Sequence, residues 1–198
     1  MGALALTVLA TSCQPPGARG ASDATAPARK IAWPRADQND PEATRWLSPA
    51  ARNTVALAPV PVLVPGDANY LYEARVAVQE RSYSLRAGST DSKAEVMGAD
   101  AEAHAGGVQV DVRGSIEPGD YPNGPTANCA VRGLPAVCSD ESPNGRRMKW
   151  IERGVAYSVT FYCNNGVGDQ RCAPEELLRQ AWLMKFVGGS GGGNQEAR

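Results

Sequence analysis

The sequence has little charge imbalance, few large apolar residues and a single histidine. Its 198 residues carry 20 Lys and Arg against 21 Asp and Glu, a formal net charge of −1, which gives no electrostatic case for binding nucleic acid. Leu, Ile, Val and Phe together number 34, a low value that predicts that part of the chain stays outside any hydrophobic core. H-E-x-x-H and P-loop motifs are absent, so no signature of a zinc protease or nucleotide-binding enzyme is present.

The apolar run at the N-terminus is too short to cross a membrane. Residues 3–10 read ALALTVLA, about eight residues, whereas a spanning helix requires roughly 20. Such a length is typical of the apolar segment of a secretory signal, which precedes a cleavage site of small residues. Residues 9–13 then read LATSC, which resembles the lipobox of bacterial lipoproteins. Ala10 stands where that pattern usually has Leu, and no Lys or Arg precedes the apolar run.

The lipoprotein resemblance implies a signal peptide over residues 1–12 and lipidation of Cys13. It also implies a membrane lipid anchor, with the remaining chain in the periplasm or outside the cell. Residues 13–45, rich in small and polar residues without a periodic apolar face, are predicted to be a flexible tether. A single β-rich domain is expected over residues 46–187, followed by a Gly-rich flexible tail at 188–198. The alternatives are secretion without lipid and a buried N-terminal strand or helix.

Four further cysteines are spaced as two equal pairs. Cys129 and Cys138 are nine residues apart, and so are Cys163 and Cys172. Of the three possible pairings, the sequence favours the local disulfides Cys129–Cys138 and Cys163–Cys172, since turn-forming residues lie within each loop. A zinc site with all four cysteines is the alternative, but structural zinc usually takes ligands from closely spaced pairs.

Alternation of apolar and polar residues predicts an antiparallel β protein. The alternating or apolar segments are residues 70–78, 82–87, 93–97, 108–112, 148–152 and 155–163. Strands in succession without alternating helices favour a mainly β (or α+β) fold. We expect a small antiparallel β-sandwich or curled sheet of about six to seven strands, with one C-terminal helix packed on it.

The sequence also predicts the structure of three other segments. The proline-rich residues 54–65 predict an edge strand or extended arm after a short entry segment at 46–52. Residues 117–145 predict a long turn-rich loop, pinned by Cys129–Cys138, that forms a contact surface. A helix is expected to begin at Pro174 and end at Gly188, with an apolar stripe that includes Trp182 and Phe186. Trp150 and Trp182 are predicted to lie in the core.

Few residues form a pattern that is typical of a catalytic or metal-binding site. Asp100, Glu102 and His104 would share one face of a strand, and could hold a divalent metal or perform acid–base catalysis. A solvated strand or loop is the favoured interpretation, so we predict no cofactor. Residues 164–169 have oxygen ligands around glycines, as in a calcium loop, but lack the closing acid of an EF-hand. A disulfide-closed turn explains them more simply.

A local basic cluster comprises Arg146, Arg147, Lys149 and Arg153. It could contact anionic lipid or an acidic glycan, although a solvated rim is the simpler interpretation. The preferred overall function is a non-enzymatic cell-envelope lipoprotein whose domain binds a protein or glycan partner. One alternative is an envelope hydrolase or metal enzyme that uses Asp100, Glu102 and His104. Another is an inhibitor that inserts the 117–145 loop into an enzyme cleft.

Overall fold

Nine β-strands in two antiparallel sheets hold about half of the residues that the structure describes. The computed structural model describes residues 30–88, 108–117, 127–142, 145–163 and 173–190. The strands are β1 (Val62–Val64), β2 (Tyr72–Gln79), β3 (Ser82–Gly88), β4 (Val108–Ser115), β5 (Cys129–Val131), β6 (Leu134–Ser142), β7 (Gly145–Glu152), β8 (Val155–Cys163) and β9 (Lys185–Gly188). The larger sheet has the order β2-β3-β4-β8-β7-β6-β5, and the smaller sheet pairs β1 with β9. The predicted mainly β, antiparallel fold is therefore confirmed.

In the part of the chain that the structure describes, three short α-helices accompany the sheets. They are α1 (Pro41–Trp46), α2 (Pro49–Val55) and α3 (Pro174–Trp182), and α3 packs on the larger sheet through contacts with β5 and β7. Each helix has proline in its first turn, where the missing N–H is not needed for the helix. The Asp40 carboxylate caps α1 by accepting hydrogen bonds from the Glu42 and Ala43 amides.

Alternate side chains of the larger sheet form the core. On β4, Val108, Val110 and Val112 are buried, and on β8 the same holds for Val159 and Phe161. This is the alternation that the sequence predicted for these strands. The smaller sheet and the helices lie on the core face, and within the described ranges no element covers the opposite face of the larger sheet.

Two buried tyrosines join the larger sheet to β1 of the smaller sheet and to the residue just before it. The Tyr83 hydroxyl accepts a hydrogen bond from the Leu63 amide at 2.8 Å and donates to the Leu63 carbonyl at 3.2 Å. The Tyr157 hydroxyl donates to the Pro61 carbonyl at 2.8 Å. A Cβ atom at Gly114 would lie 2.4 Å from a ring carbon of Tyr83 and 3.0 Å from one of Tyr157. Glycine is thus required there for the two rings to approach β4.

Two tight turns connect pairs of neighbouring strands at one end of the larger sheet. Arg153 and Gly154 join β7 to β8 with φ of 56° and 79°, as expected for a two-residue hairpin turn with both φ angles positive. Arg132 and Gly133, with φ of 53° and 76°, join β5 to β6 in the same way. The prediction of one long loop over residues 117–145 is therefore wrong, since much of it is a hairpin. The three-residue β5 was too short to stand out by alternation.

The segment before the larger sheet also differs from its prediction. Residues 54–65 contain the end of α2 and only a three-residue strand, β1, and the predicted entry segment 46–52 belongs to α1 and α2. The folded region begins before residue 46, because Ala43 on α1 is fully buried. Helices this short depend on tertiary packing and end caps, so the apolar periodicity of the sequence did not predict them.

The C-terminal helix starts where predicted but ends early. Helix α3 stops at Trp182, and Phe186 lies on β9 instead of on the helix. Trp182 is 48 % exposed, so its predicted core position is wrong, whereas Trp150 is fully buried as predicted. The apolar residues from Leu177 to Phe186 belong partly to one face of α3 and partly to one face of β9. The helix ends before β9 because the residues of β9 pair with β1. The predicted strand at 93–97 lies outside the described residues.

Candidate functional site

The open face of the larger sheet is concave. Side chains from five neighbouring strands, β2, β3, β4, β8 and β7, line a cavity of about 520 Å³, which we call the sheet groove. They occupy the strand positions between the buried ones, because successive side chains of a strand point to opposite faces. The register of the sheet therefore decides which of them lie side by side.

The first row across the sheet groove carries three arginines and one carboxylate. Arg75 pairs with Arg86, Arg86 with Asp111, Asp111 with Thr160, and Thr160 with Arg147. Asp111 binds Arg86 with both carboxylate oxygens, at 3.0 and 3.3 Å. Donation of these hydrogen bonds to Asp111 raises the pKa of Arg86 above its ordinary value. At the far end of the row, Arg147 Nε donates to Thr160 Oγ1 at 3.1 Å.

The second row alternates cations with hydroxyl groups. It consists of Ala77, Ser84, Arg113, Ser158 and Lys149 in register order. A smaller cavity of about 190 Å³ adjoins the sheet groove and shares Ser84 and Arg113 with it. Arg113 thus lies between the two cavities.

The sheet groove concentrates positive charge in a chain whose net charge is −1. Among the described residues that line it, five are cations and Asp111 is the single carboxylate. Arg86 is 71 % exposed, so its ion pair with Asp111 is screened by water and contributes at most about 1 kcal/mol to stability. Arg75 and Arg113 are exposed as well, and the combined positive charge of this surface attracts anions.

The basic cluster predicted from sequence is divided by the sheet. Arg147 and Lys149 line the sheet groove, whereas Arg146 shares the opposite face of β7 with the buried Met148. Arg153 lies in the β7–β8 turn, 5.4 Å from the ring centre of Phe186, and donates to Gln38 Oε1 at 3.0 Å. Alternation along β7 separates residues that are adjacent in sequence.

The other three cations of the groove were not predicted. Arg75, Arg86 and Arg113 come from three different strands, each flanked by residues of the buried face. The signal in the sequence is that each occupies an outward position of an alternating strand. Their proximity depends on strand order and register, which alternation alone does not give.

A second polar cluster, on the core side of the sheet, stabilises the fold. Arg132 binds Glu152 at 2.9 Å, and the Trp150 indole donates to the same carboxylate at 3.2 Å. Arg132 also donates to the Met184 carbonyl and lies 5.4 Å from the ring centre of Phe186. The cluster therefore ties the β5–β6 turn to β7 and β9.

Several of the predicted site residues lie outside the described residues. These are Cys13, Asp100, Glu102, His104, Cys172 and the 164–169 segment. Among the described residues, no group of three or more His, Cys, Asp or Glu side chains could hold a metal ion. None of the helices in the described ranges is long and apolar enough to cross a membrane.

The structure contains the predicted Cys129–Cys138 disulfide, which links the neighbouring strands β5 and β6. Cys163 is also disulfide-bonded. Cys172 lies outside the described residues, so Cys163–Cys172 stays a prediction.

The fold and the sheet groove together define a mainly β protein with an open, cationic sheet face. We find no match to this chain among protein-family models, curated proteins or solved structures.

Proposed function

We propose that this chain is a lipid-anchored protein of a bacterial cell envelope and that its β domain binds an anionic partner in the sheet groove. The observation that carries the binding function is the register of the larger sheet, which aligns five cations of β2, β3, β4, β8 and β7 on one concave surface. The lipid anchor rests on the resemblance of residues 9–13 to a lipobox.

The chemistry of the groove supports recognition in preference to catalysis. Guanidinium groups stay charged throughout the physiological pH range, and their fork of N–H donors matches the oxygens of carboxylates and phosphates. Four of the five cations are arginines. Such a surface holds an anion well, but its arginines do not exchange protons with a substrate near neutral pH.

The anchor is tested by changing the acceptor cysteine. In a bacterium that expresses the full chain, Cys13→Ser should move the protein from the membrane fraction to the soluble fraction. Ser12→Ala is the matched control, because it keeps a small residue before the cysteine and should leave the protein in the membrane. The intact mass should show acyl chains on wild type and on Ser12→Ala only. Unchanged membrane fractionation of Cys13→Ser would contradict the anchor.

The binding function is tested with a panel of polyanions and one pair of double variants. Arg113→Gln/Lys149→Gln removes two cations from the groove, and Arg45→Gln/Arg52→Gln removes two exposed cations from α1 and α2. We expect at least one of polygalacturonate, polyglutamate and polyphosphate to bind the wild type and to bind the groove variant more weakly, with the helix variant unchanged. Equal binding by all three proteins would refute the function of the groove.

A further inference from the structure

We infer that the ligand of the sheet groove is a single linear acidic polysaccharide that runs across the strands. This inference rests on the proposed binding function and names its ligand class. Three properties of the groove support it: the shape of its cationic zone, the hydroxyl groups between its cations, and the position of Asp111.

The cationic zone is long across the sheet and narrow along the strands. From Arg75 on β2 to Arg147 on β7 the rows cross four strand spacings, about 19 Å at the usual distance between neighbouring strands. The two rows are two residues apart along each strand, which corresponds to only about 7 Å. A zone of this shape fits one extended polymer chain, whereas a single phosphate group would reach only one or two of the cations.

The concavity of the zone disfavours a membrane surface. The cations line a cavity of about 520 Å³ formed by five neighbouring strands, so a flat bilayer would meet the rim of the groove before its floor. Arg113 belongs to the central strand of those five. A narrow chain can reach Arg113, but a planar array of lipid headgroups cannot do so without bending.

The hydroxyl groups between the cations are better suited to hydrogen bonds with sugar hydroxyls than with the backbone of a polypeptide. Ser84 and Ser158 flank Arg113 in the second row. A hydroxyl both donates and accepts hydrogen bonds, as the hydroxyls of a sugar do. An extended peptide carries an N–H and a C=O at every residue, and the matching backbone groups of the inner strands are used within the sheet itself.

Asp111 discriminates against ligands with closely spaced charges. It is the carboxylate of the first row, between Arg86 and Thr160. A polymer with an anion on every short repeat, such as polyphosphate, would place negative charge over Asp111, and like charges at such distances repel. A uronic acid polymer has one carboxylate on each sugar, so uncharged hydroxyls can lie over Asp111 while carboxylates meet the arginines.

The ligand class is tested by calorimetric titration of the full chain carrying Cys13→Ser. The probes are polygalacturonate oligomers of increasing length, polyglutamate, polyphosphate, neutral dextran and vesicles of phosphatidylglycerol. We expect polygalacturonate to bind more tightly than the other probes and dextran not to bind. Its affinity should rise with oligomer length until the oligomer reaches both ends of the rows, and should fall as salt concentration rises because exposed charges are screened.

Single variants locate the binding. Arg113→Gln and Lys149→Gln should each weaken polygalacturonate binding about fivefold, as expected for the loss of one cation near an anionic surface. Arg52→Gln on α2 is the matched control and should bind like the parent chain. Asp111→Asn should strengthen polyphosphate binding more than polygalacturonate binding.

The contradicting outcomes separate the inference from the function on which it rests. Polyglutamate, polyphosphate or vesicles that bind as tightly as polygalacturonate, and lose affinity in Arg113→Gln, would overturn the polysaccharide but leave the groove as a binding site. Polygalacturonate binding that is equally weakened by Arg52→Gln would overturn the inference as nonspecific attraction. If no probe is affected by either groove variant, both the inference and the proposed binding function are wrong.

Discussion

Tyr83→Phe should destabilise the protein because one buried hydroxyl satisfies two backbone groups. The Tyr83 hydroxyl accepts from the Leu63 amide and donates to the Leu63 carbonyl, and both residues are almost fully buried. Of the strands that the structure describes, only β9 pairs with β1, so none of the others can replace these hydrogen bonds. Phenylalanine would fill the same space and leave both groups of Leu63 without a partner.

The expected cost follows from those two groups. A buried polar group without a partner costs about 1–3 kcal/mol, so the loss of both partners in Tyr83→Phe should lower the free energy of unfolding by roughly 2–6 kcal/mol. Tyr157→Phe leaves only the Pro61 carbonyl without its side-chain donor, and should cost about half as much. For a folded region of this size, each kcal/mol lowers Tm by about 2–4 °C.

Urea unfolding followed by tryptophan fluorescence measures this series, since Trp150 stacks on Tyr157 with ring centres 5.6 Å apart. Tyr162→Phe is the matched control, because that hydroxyl belongs to the groove face and its loss should change stability by less than about 0.5 kcal/mol. The expected order of destabilisation is Tyr83→Phe, then Tyr157→Phe, then Tyr162→Phe. A Tyr83→Phe protein as stable as Tyr162→Phe would refute the role assigned to the hydroxyl.

Three further changes probe other parts of the fold. Gly114→Ala should cost about 1–3 kcal/mol in urea unfolding, since its Cβ would overlap the Tyr83 ring. The double variant Cys129→Ser/Cys138→Ser should cost about 2–3 kcal/mol, because the disulfide closes a loop of nine residues. Asp40→Ala should cost about 1 kcal/mol by loss of the α1 cap, whereas Asp40→Asn should be near neutral at pH 7. The hydrogen bond from the Ala43 amide is the main cause that lowers the pKa of Asp40, so wild type should lose more stability than Asp40→Asn as pH falls through the acidic range.

Each of these predictions has a result that would contradict it. Wild-type stability of Gly114→Ala would mean that the tyrosine rings can move aside. A chain whose stability does not change on mutation of both cysteines, or on reduction, would show that the β5–β6 hairpin does not depend on its disulfide. Equal acid sensitivity of wild type and Asp40→Asn would contradict the cap and its pKa.

The sequence predicted the strands whose faces differ clearly in polarity. Strands β4 and β8 follow from alternating valines and aromatics, and the β7–β8 turn follows from Arg153 and Gly154. Helices α1 and α2 were missed because short helices are stabilised by packing and caps more than by periodicity. Strand β5 was missed because three residues do not establish an alternation.

The sequence predicted only part of the candidate site, because the rest of the site depends on the order and register of the strands. Arg147 and Lys149 stand close together in sequence, so a basic cluster was visible there. Arg75, Arg86 and Arg113 join them only because the sheet places β2, β3 and β4 beside β8 and β7. A cluster built from several strands has no local pattern, and its members can be identified only once the strand order is known.

Nuclear magnetic resonance with added polygalacturonate tests directly whether the sheet groove is the binding surface. In the full chain carrying Cys13→Ser, we expect the Nε–H signals of Arg86, Arg113 and Arg147 to shift on titration, together with backbone amides of β4 and β8. Amides of α1 and α2, on the opposite side of the larger sheet, should stay unchanged. Shifts confined to those helices, or titration without any change at the three arginines, would contradict the assignment of the groove.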